Sequence, residues 1–245
     1  MCIDMCEHIY GHYKWKKRCF LMNKKGRLIV IDGLDGCGKT TQHEKLTEIL
    51  TEKGVNVRGI SFPEYDKPSA ALVKMYLSGE FSDKAADVNA YAASAFYAVD
   101  RFASFKLYWE EDYRRGGLIL ASRYVSSNAV HQCPKLPESQ WEAFLDWLDD
   151  FEYNRLALPR PDRVIFLDIS PELSAKRLTG RYHGDESKKD IHESNMDYMR
   201  SCRRSALFAA EQQGWDVVSC TDEGGNEKSP EDITAEILKI ISEVI

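Results

Sequence analysis

The residues best equipped for chemistry lie between Gly33 and Thr41, where Gly33-x-x-x-x-Gly38-Lys39-Thr40 satisfies the G-x-x-x-x-G-K-[ST] pattern of a phosphate-binding loop. Its glycines, Gly36 included, let the backbone turn with positive φ and aim successive N–H groups inward, where a polyphosphate can sit. Lys39 adds a point charge at the β- and γ-phosphates, and Thr40 offers a hydroxyl to Mg²⁺. The helix expected to start near Lys39 and to continue through Thr41 turns its positive end on the same spot. Cys37 reads as a small residue of the loop. A glycine-rich turn without a ligand would share the pattern, but this one has an apolar β-branched run before it, Arg27 to Asp32, and an amphipathic helical pattern after it. That context points to a nucleoside triphosphate site.

The elements that must position this loop alternate along the chain. Thr41 to Lys53 reads as a helix with Leu46, Ile49 and Leu50 on one face, stopped by Gly54; Val55 to Ser61 reads as a strand. Phe62-Pro63-Glu64-Tyr65 then breaks regular structure just beyond the strand's carboxyl end, where open α/β sheets place ligands. Asp87 to Arg115 is a long helical candidate that puts Tyr97 and Arg101 on one face at i,i+4. On the bland reading Tyr97 is core and Arg101 lies along the surface. Leu118 to Ala121 is a buried strand ending at Ser122-Arg123-Tyr124, and Ser126 to His131 begins the next helix. Pro137 to Leu156 is amphipathic, with Trp141, Phe144, Leu145, Leu148 and Phe151 inward. Val164 to Asp168 is a strand, Pro171 starts a helix carrying Arg177, Ile191 to Gln213 is helical, Asp216 to Cys220 is a last strand and Pro230 to Ile245 a closing helix. Five strands alternating with helices predict a central, mostly parallel sheet covered on both faces, a P-loop NTPase fold of α/β class.

The 245 residues fit one large domain, and a hydrophobic content of 43% supports its core. A net charge of −6 leaves no broad basic footprint, which argues against nucleic acid as partner while permitting a small anion held by a few arginines. Seven scattered cysteines and the lack of a signal-peptide h-region are expected of reduced thiols in a cytoplasmic protein, and no apolar run is long enough to span a bilayer. Residues 1–24 read as an N-terminal extension, poorly ordered. Cys2, Cys6, His8 and His12 within it lack the paired C-x-x-C spacing of a zinc knuckle.

A P-loop alone leaves two classes open, a phosphoryl-transfer enzyme on a small acceptor and a nucleotide-dependent switch acting on a protein. A guanine switch would want N-K-x-D after a strand, and the nearest stretch, Ser187-Lys-Lys-Asp190, lacks the asparagine. Arginines and aromatics recurring near strand ends (Tyr65, Tyr97 with Arg101, Arg123, Arg177, Arg181) favour the enzyme, gripping a second molecule that is anionic and aromatic.

Gly33-Leu-Asp-Gly-Cys-Gly-Lys-Thr-Thr, Phe62-Pro-Glu-Tyr, Tyr97-Ala-Val-Asp-Arg101, Arg123-Tyr-x-x-Ser-Asn128 and Pro161-Asp-x-Val-x-Phe-Leu-Asp-x-Ser-Pro-Glu172, in this order, resemble the thymidylate kinase family from about Gly26 to the C-terminus. The resemblance implies ATP and dTMP as substrates, Mg²⁺ with the ATP, a nucleoside-monophosphate-kinase fold with a lid at about 179–190 in a single domain over 25–245, and a homodimer. It implies ATP binding by Gly33, Asp35, Gly36, Cys37, Gly38, Lys39, Thr40 and Thr41, with Thr40 and Asp35 toward the metal. Asp35 would also reach the acceptor's sugar. Tyr97 would stack on thymine, Arg101 would bond the base, Asn128 would lie at the base, and Ser127 would belong to the dTMP-binding set. Phe62, Pro63 and Tyr65 would line the pocket, Arg123 would reach the acceptor phosphate, and His131 would sit near the sugar C2′. Lys39, Arg123, Arg177 and Arg181 would be the catalytic cations.

Three residues depart from the family's pattern. Ser122 stands where an Asp commonly precedes Arg-Tyr, Glu64 where some members have arginine, and Gly36 where some carry a catalytic arginine. The last departure resembles a bacterial class whose lid supplies the arginine, which here would be Arg181, with Arg177 one turn earlier.

Overall fold

A computed structural model describes residues 25–82, 84, 87–181 and 196–245. Strand β1 (Arg27–Gly33) is buried from Leu28 onward. Leu28 and Val30 pack into one core, Ile29 and Ile31 into the other, so the alternation of a strand serves two apolar faces at once. Burying each of these four side chains is worth about 1.5–3 kcal/mol. Helix α1 (Lys39–Glu52) returns the chain to β2 (Val57–Ser61), and α2 (Ala71–Leu77) and α3 (Ala90–Ser104) follow. Then come α4 (Glu110–Arg114), β3 (Leu118–Ser122), α5 (Ser126–Gln132), α6 (Trp141–Leu148), β4 (Arg163–Asp168), α7 (Pro171–Arg181), α8 (Met196–Gln213), β5 (Asp216–Ser219) and α9 (Pro230–Ile241).

The sheet runs β2-β3-β1-β4-β5 with every pairing parallel. Ile31 stands opposite Ser122 and Gly33 opposite Leu167, so β1, β3 and β4 end together. From β1 the chain crosses first to the β2–β3 side and later to the β4–β5 side. The carboxyl ends of these central strands therefore open into the crevice of a topological switch point, and the Gly33–Thr41 loop lies in it.

Two of the expected helices are not continuous. The stretch expected as Asp87 to Arg115 begins at Ala90, with Asn89 Oδ1 accepting from the Ala92 N–H, and widens into a π turn over Phe105–Trp109. The stretch expected as Pro137 to Leu156 contains α6 and then a second π turn over Asp149–Arg155. Such turns insert a residue and re-aim the side chains beyond it. Here the second one sends Glu152 into the core while its neighbour Asp150 pairs with Arg155 at the surface. The expected extension (1–24), with its cysteines and histidines, lies outside the described residues, as does the expected lid from 182 onward. Arg181 closes α7, and its side chain is outside the description.

Candidate active site

The loop Leu34 to Gly38 joins β1 to α1. Gly36 takes φ 78°, and Gly38, the N-cap of α1, takes φ 104°. At Gly36 space is short as well: a Cβ there would stand 3.0 Å from the Ser174 carbonyl oxygen and 3.3 Å from Leu178 Cγ, both on α7. That helix holds the loop from the far side. Ser174 Oγ donates to the Asp35 carbonyl, and Arg177 Nη1 donates to the carbonyls of Gly36 and Cys37, each at 3.3 Å. Glu227 accepts from Arg177 Nε and Nη2 at 3.1 and 2.9 Å, which fixes the guanidinium over the loop.

Lys39 is 8% exposed. Its ammonium donates to the carbonyls of Gly33 and Leu34 at 2.9 and 2.8 Å and lies 3.6 Å from Asp35 Oδ1. Neutral carbonyls are weaker acceptors than a phosphate oxygen, so the same ammonium can be drawn onto an anion. Thr40 and Thr41 are exposed in the first turn of α1, where its positive end faces the crevice.

Arg123 is the first residue after β3. Its N–H bonds the Ile31 carbonyl at 2.9 Å, adding one more link between β1 and β3, and its φ of 67° then turns the chain. The guanidinium bonds Asp35 through Nη2 and reaches Ser127 Oγ (3.3 Å) and His131 Nε2 (3.2 Å) through Nη1. Because arginine only donates, His131 Nε2 is the acceptor in this contact. Burial pushes the Asp35 carboxyl up, but the charges of Arg123 and Lys39 outweigh it and hold the group well below the usual carboxylate range. Burial likewise works against the Arg123 cation, and Asp35 and then Asp32 more than restore it.

Asp32, fully buried at the end of β1, accepts from Ser126 Oγ at 2.6 Å, Ser127 Oγ at 2.8 Å and the Gly33 N–H at 2.8 Å. Ser127, expected among the acceptor-binding residues, gives its hydroxyl to Asp32 and accepts from Arg123 with it. Ser122 leaves β3 without a carboxylate at its end, and the buried carboxylate of this region is Asp32 on the neighbouring strand. Its oxygens are taken up by hydroxyls. Asp35 is a better fit to a hard cation, since its Oδ2 takes no hydrogen bond among the described residues and the carboxyl stays ionised. With Thr40 it offers the sparse oxygen set that suits Mg²⁺ held mainly by phosphates and waters. Among the described residues no group of three or more His, Cys, Asp or Glu could hold a metal.

The other side of the crevice is built by α3, α5 and the loop after β2. Asp100 on α3 accepts from the Glu64 N–H (2.9 Å) and Ser69 Oγ (2.6 Å), tying that loop down. Tyr65 is half exposed and Pro63 partly so, as a pocket wall requires, whereas Phe62 is core, 6.0 Å from the Tyr124 ring. Phe62, expected to line the pocket, is buried behind that wall. Glu64 points away from Arg123: its Oε1 accepts from Ser104 Oγ at 2.7 Å, which also accepts from the Trp109 indole at 3.1 Å. The Glu64 departure thus places a carboxylate in the α3 packing and not beside a phosphate.

Arg101 is partly committed within the protein. It is buried, and Nε and Nη2 donate to Glu152 Oε2 and Oε1 at 2.7 and 2.6 Å while Nη1 donates to the Tyr124 carbonyl at 3.2 Å. Three of its five donors are so committed, leaving two for a base. Asn128 Nδ2 donates to Glu152 Oε1 at 3.1 Å and to the Ser94 carbonyl at 3.3 Å. Tyr97, one turn on from Ser94, lies on the same face of α3, edge-on to Tyr76. Sequence reasoning missed Glu152, Asp100 and Asp32. The Asp100–Arg101 pair inside an apolar helix was a visible signal; Glu152 sits in an acidic run, Asp149-Asp150-Phe-Glu152, that gives no hint which acid turns inward.

The comparisons with known proteins agree with this geometry. The family model for thymidylate kinase matches residues 31–231. Thymidylate kinase of Mycobacterium tuberculosis is 33% identical over 192 residues, 77% of this chain and 87% of that protein. A probable thymidylate kinase of Staphylothermus marinus is 33% identical over 160 residues, 65% of this chain and 72% of its own. A solved thymidylate kinase from Candida albicans superposes with a TM-score of 0.65 at 22% identity, covering 89% of this chain and 92% of that one, a likeness of fold. The parallel five-stranded order, the loop gripped between β1 and α1, and a family match that spans the loop, α3 and α5 lead to one assignment: this chain belongs to the thymidylate kinase family.

Proposed function

We propose that the chain transfers the γ-phosphoryl group of ATP to dTMP, giving ADP and dTDP, with Mg²⁺ bound to the ATP. The observation that carries this reading is the shared guanidinium of Arg123, standing between the P-loop carboxylate Asp35 and the α5 residues Ser127 and His131, on the line where donor and acceptor phosphates must meet. The nucleophile is a phosphate oxygen, already anionic at neutral pH, so no general base is needed. Catalysis reduces to in-line positioning and to countering charge between two polyanions. Lys39 leaves the loop carbonyls for the β/γ-phosphates, and Arg123 bonds the acceptor phosphate through donors now resting on Asp35. Arg177 sits against the loop where Gly36 leaves no side chain, and Arg181 completes the cation set at the end of the same helix. Mg²⁺, when bound, neutralises phosphate charge, and Thr40 and Asp35 are the residues that would hold it.

Tyr97 stacks on the base, with Arg101 and Asn128 at its edge and Pro63 and Tyr65 as walls. We place the protein in the cytoplasm as a homodimer. Among the described residues no helix is long and apolar enough to cross a membrane. Val99 and Phe102, one turn apart on α3, are exposed apolar side chains suited to contact with a second copy, and Leu72 and Leu107 are exposed as well. A coupled assay of ADP release with a panel of nucleoside monophosphates tests the reaction: dTMP is expected to be turned over best, and equal or better turnover of AMP or GMP refutes it.

A further inference from the structure

We propose that Glu152 is a positioning residue that fixes which pyrimidine edge the acceptor pocket accepts. The inference rests on the reading that Arg101 and Asn128 face the base. Glu152 is fully buried, and its charge is matched by the bidentate Arg101 guanidinium. A buried carboxylate so placed is costly to keep, and an apolar packing of similar volume is often as stable or more so. A purely structural role is therefore a weak account of it.

Its chemistry is more telling. An ionised carboxylate only accepts, and the Ser94 carbonyl beside it only accepts. The end of the Asn128 amide that meets both must be its NH₂, at 3.1 and 3.3 Å. Oδ1 is consequently the end turned away, and it takes no hydrogen bond among the described residues. Arg101, anchored by the same carboxylate, keeps two N–H donors beyond the three it has spent. Ser94, Tyr97 and Arg101 follow one another at helical spacing on α3, so the Ser94 carbonyl that takes the Asn128 amide and the Arg101 guanidinium stand one turn to either side of Tyr97. An acceptor beside a donor matches thymine, whose N3–H donates and whose O4 accepts. Cytosine presents the reverse, a bare N3 and an amino group.

Glutamine at this position would undo the constraint without changing shape. Its amide can donate as well as accept, so the Asn128 amide is free to turn over and present NH₂ to the base. The test is equilibrium binding of dTMP and dCMP to the full chain by calorimetry, with steady-state kinetics alongside. Wild type is expected to bind dTMP over dCMP by a wide margin. Glu152→Gln should cut that ratio by about 10- to 100-fold, read mainly in KM for dTMP with kcat less affected. Glu152→Asp, which stays acceptor-only, should weaken both ligands yet keep the ratio, and it carries the test if Glu152→Gln does not fold. A ratio unchanged in Glu152→Gln, or collapsed in Glu152→Asp, overturns the proposal while the dTMP reading stands. A wild type that does not distinguish the two nucleotides overturns both.

Discussion

Two glycines with nearly the same backbone angle separate the cost of a strained turn from the value of a packed one. Gly36 has φ 78° and Gly54 has φ 77°. Alanine at either must enter the left-handed region, at about 1 kcal/mol or a little more. At Gly54 a Cβ meets nothing within 4 Å, so the strain is the whole effect. At Gly36 it meets the Ser174 carbonyl at 3.0 Å and Leu178 Cγ at 3.3 Å. The first contact is backbone of α7, which is itself bonded to the loop through Ser174 and Arg177, so it cannot yield without loosening those bonds. Overpacking of that kind costs about 1–3 kcal/mol. Gly54→Ala should then lower the melting temperature by about 2–4 °C and Gly36→Ala by about 4–16 °C, using the usual conversion for a chain of this size. Thermal melts with paired ATP affinities check this: Gly54→Ala keeps ATP binding, and Gly36→Ala weakens it. Equal melting shifts for the two variants would refute the idea that α7 braces the P-loop at Gly36.

Arg181→Ala is expected to lower kcat by about 10³ or more with KM for dTMP little changed, as for a cation used in the transition state; single-turnover kinetics read it, and wild-type kcat would send the search for that cation elsewhere. Arg177→Ala should combine lower kcat with weaker ATP binding, since Arg177 also bonds the Gly36 and Cys37 carbonyls. Because the folded-state pKa of Asp35 is depressed, its contribution to stability is complete above about pH 4, its unfolded value, and fades as the pH falls below it. Urea midpoints at pH 3 and pH 6 should therefore differ less in Asp35→Asn than in wild type. Deleting residues 1–23 should leave activity and melting temperature nearly unchanged.

The three central strands were legible because each is built on an unbroken apolar run. Arg27 to Asp32 and Val164 to Asp168 could be little else, and the P-loop announced itself by glycine spacing. What escaped was pairing across the sheet. Nothing near Ser127 says that its hydroxyl serves Asp32, which lies 95 positions away, and nothing near Glu152 says that it will meet Arg101, 51 positions away. The π turns escaped for a related reason, since one inserted residue leaves the apolar count of a helix almost unchanged while rotating everything after it. The burial of Phe62 follows from the Tyr124 ring behind it, which its neighbours in sequence do not reveal.

Arg123 carries a backbone angle that suits glycine or asparagine better than arginine, and it carries it at the turn where β3 releases the chain. The strain is tolerated because the guanidinium recovers it through Asp35, Ser127 and His131. Selection for thermal tolerance alone would therefore drift toward a relaxed residue at this turn, and selection for turnover would pull it back. Position 123 is a place where robustness and activity compete within a single side chain, and variants recovered from a heat screen should be counted there first.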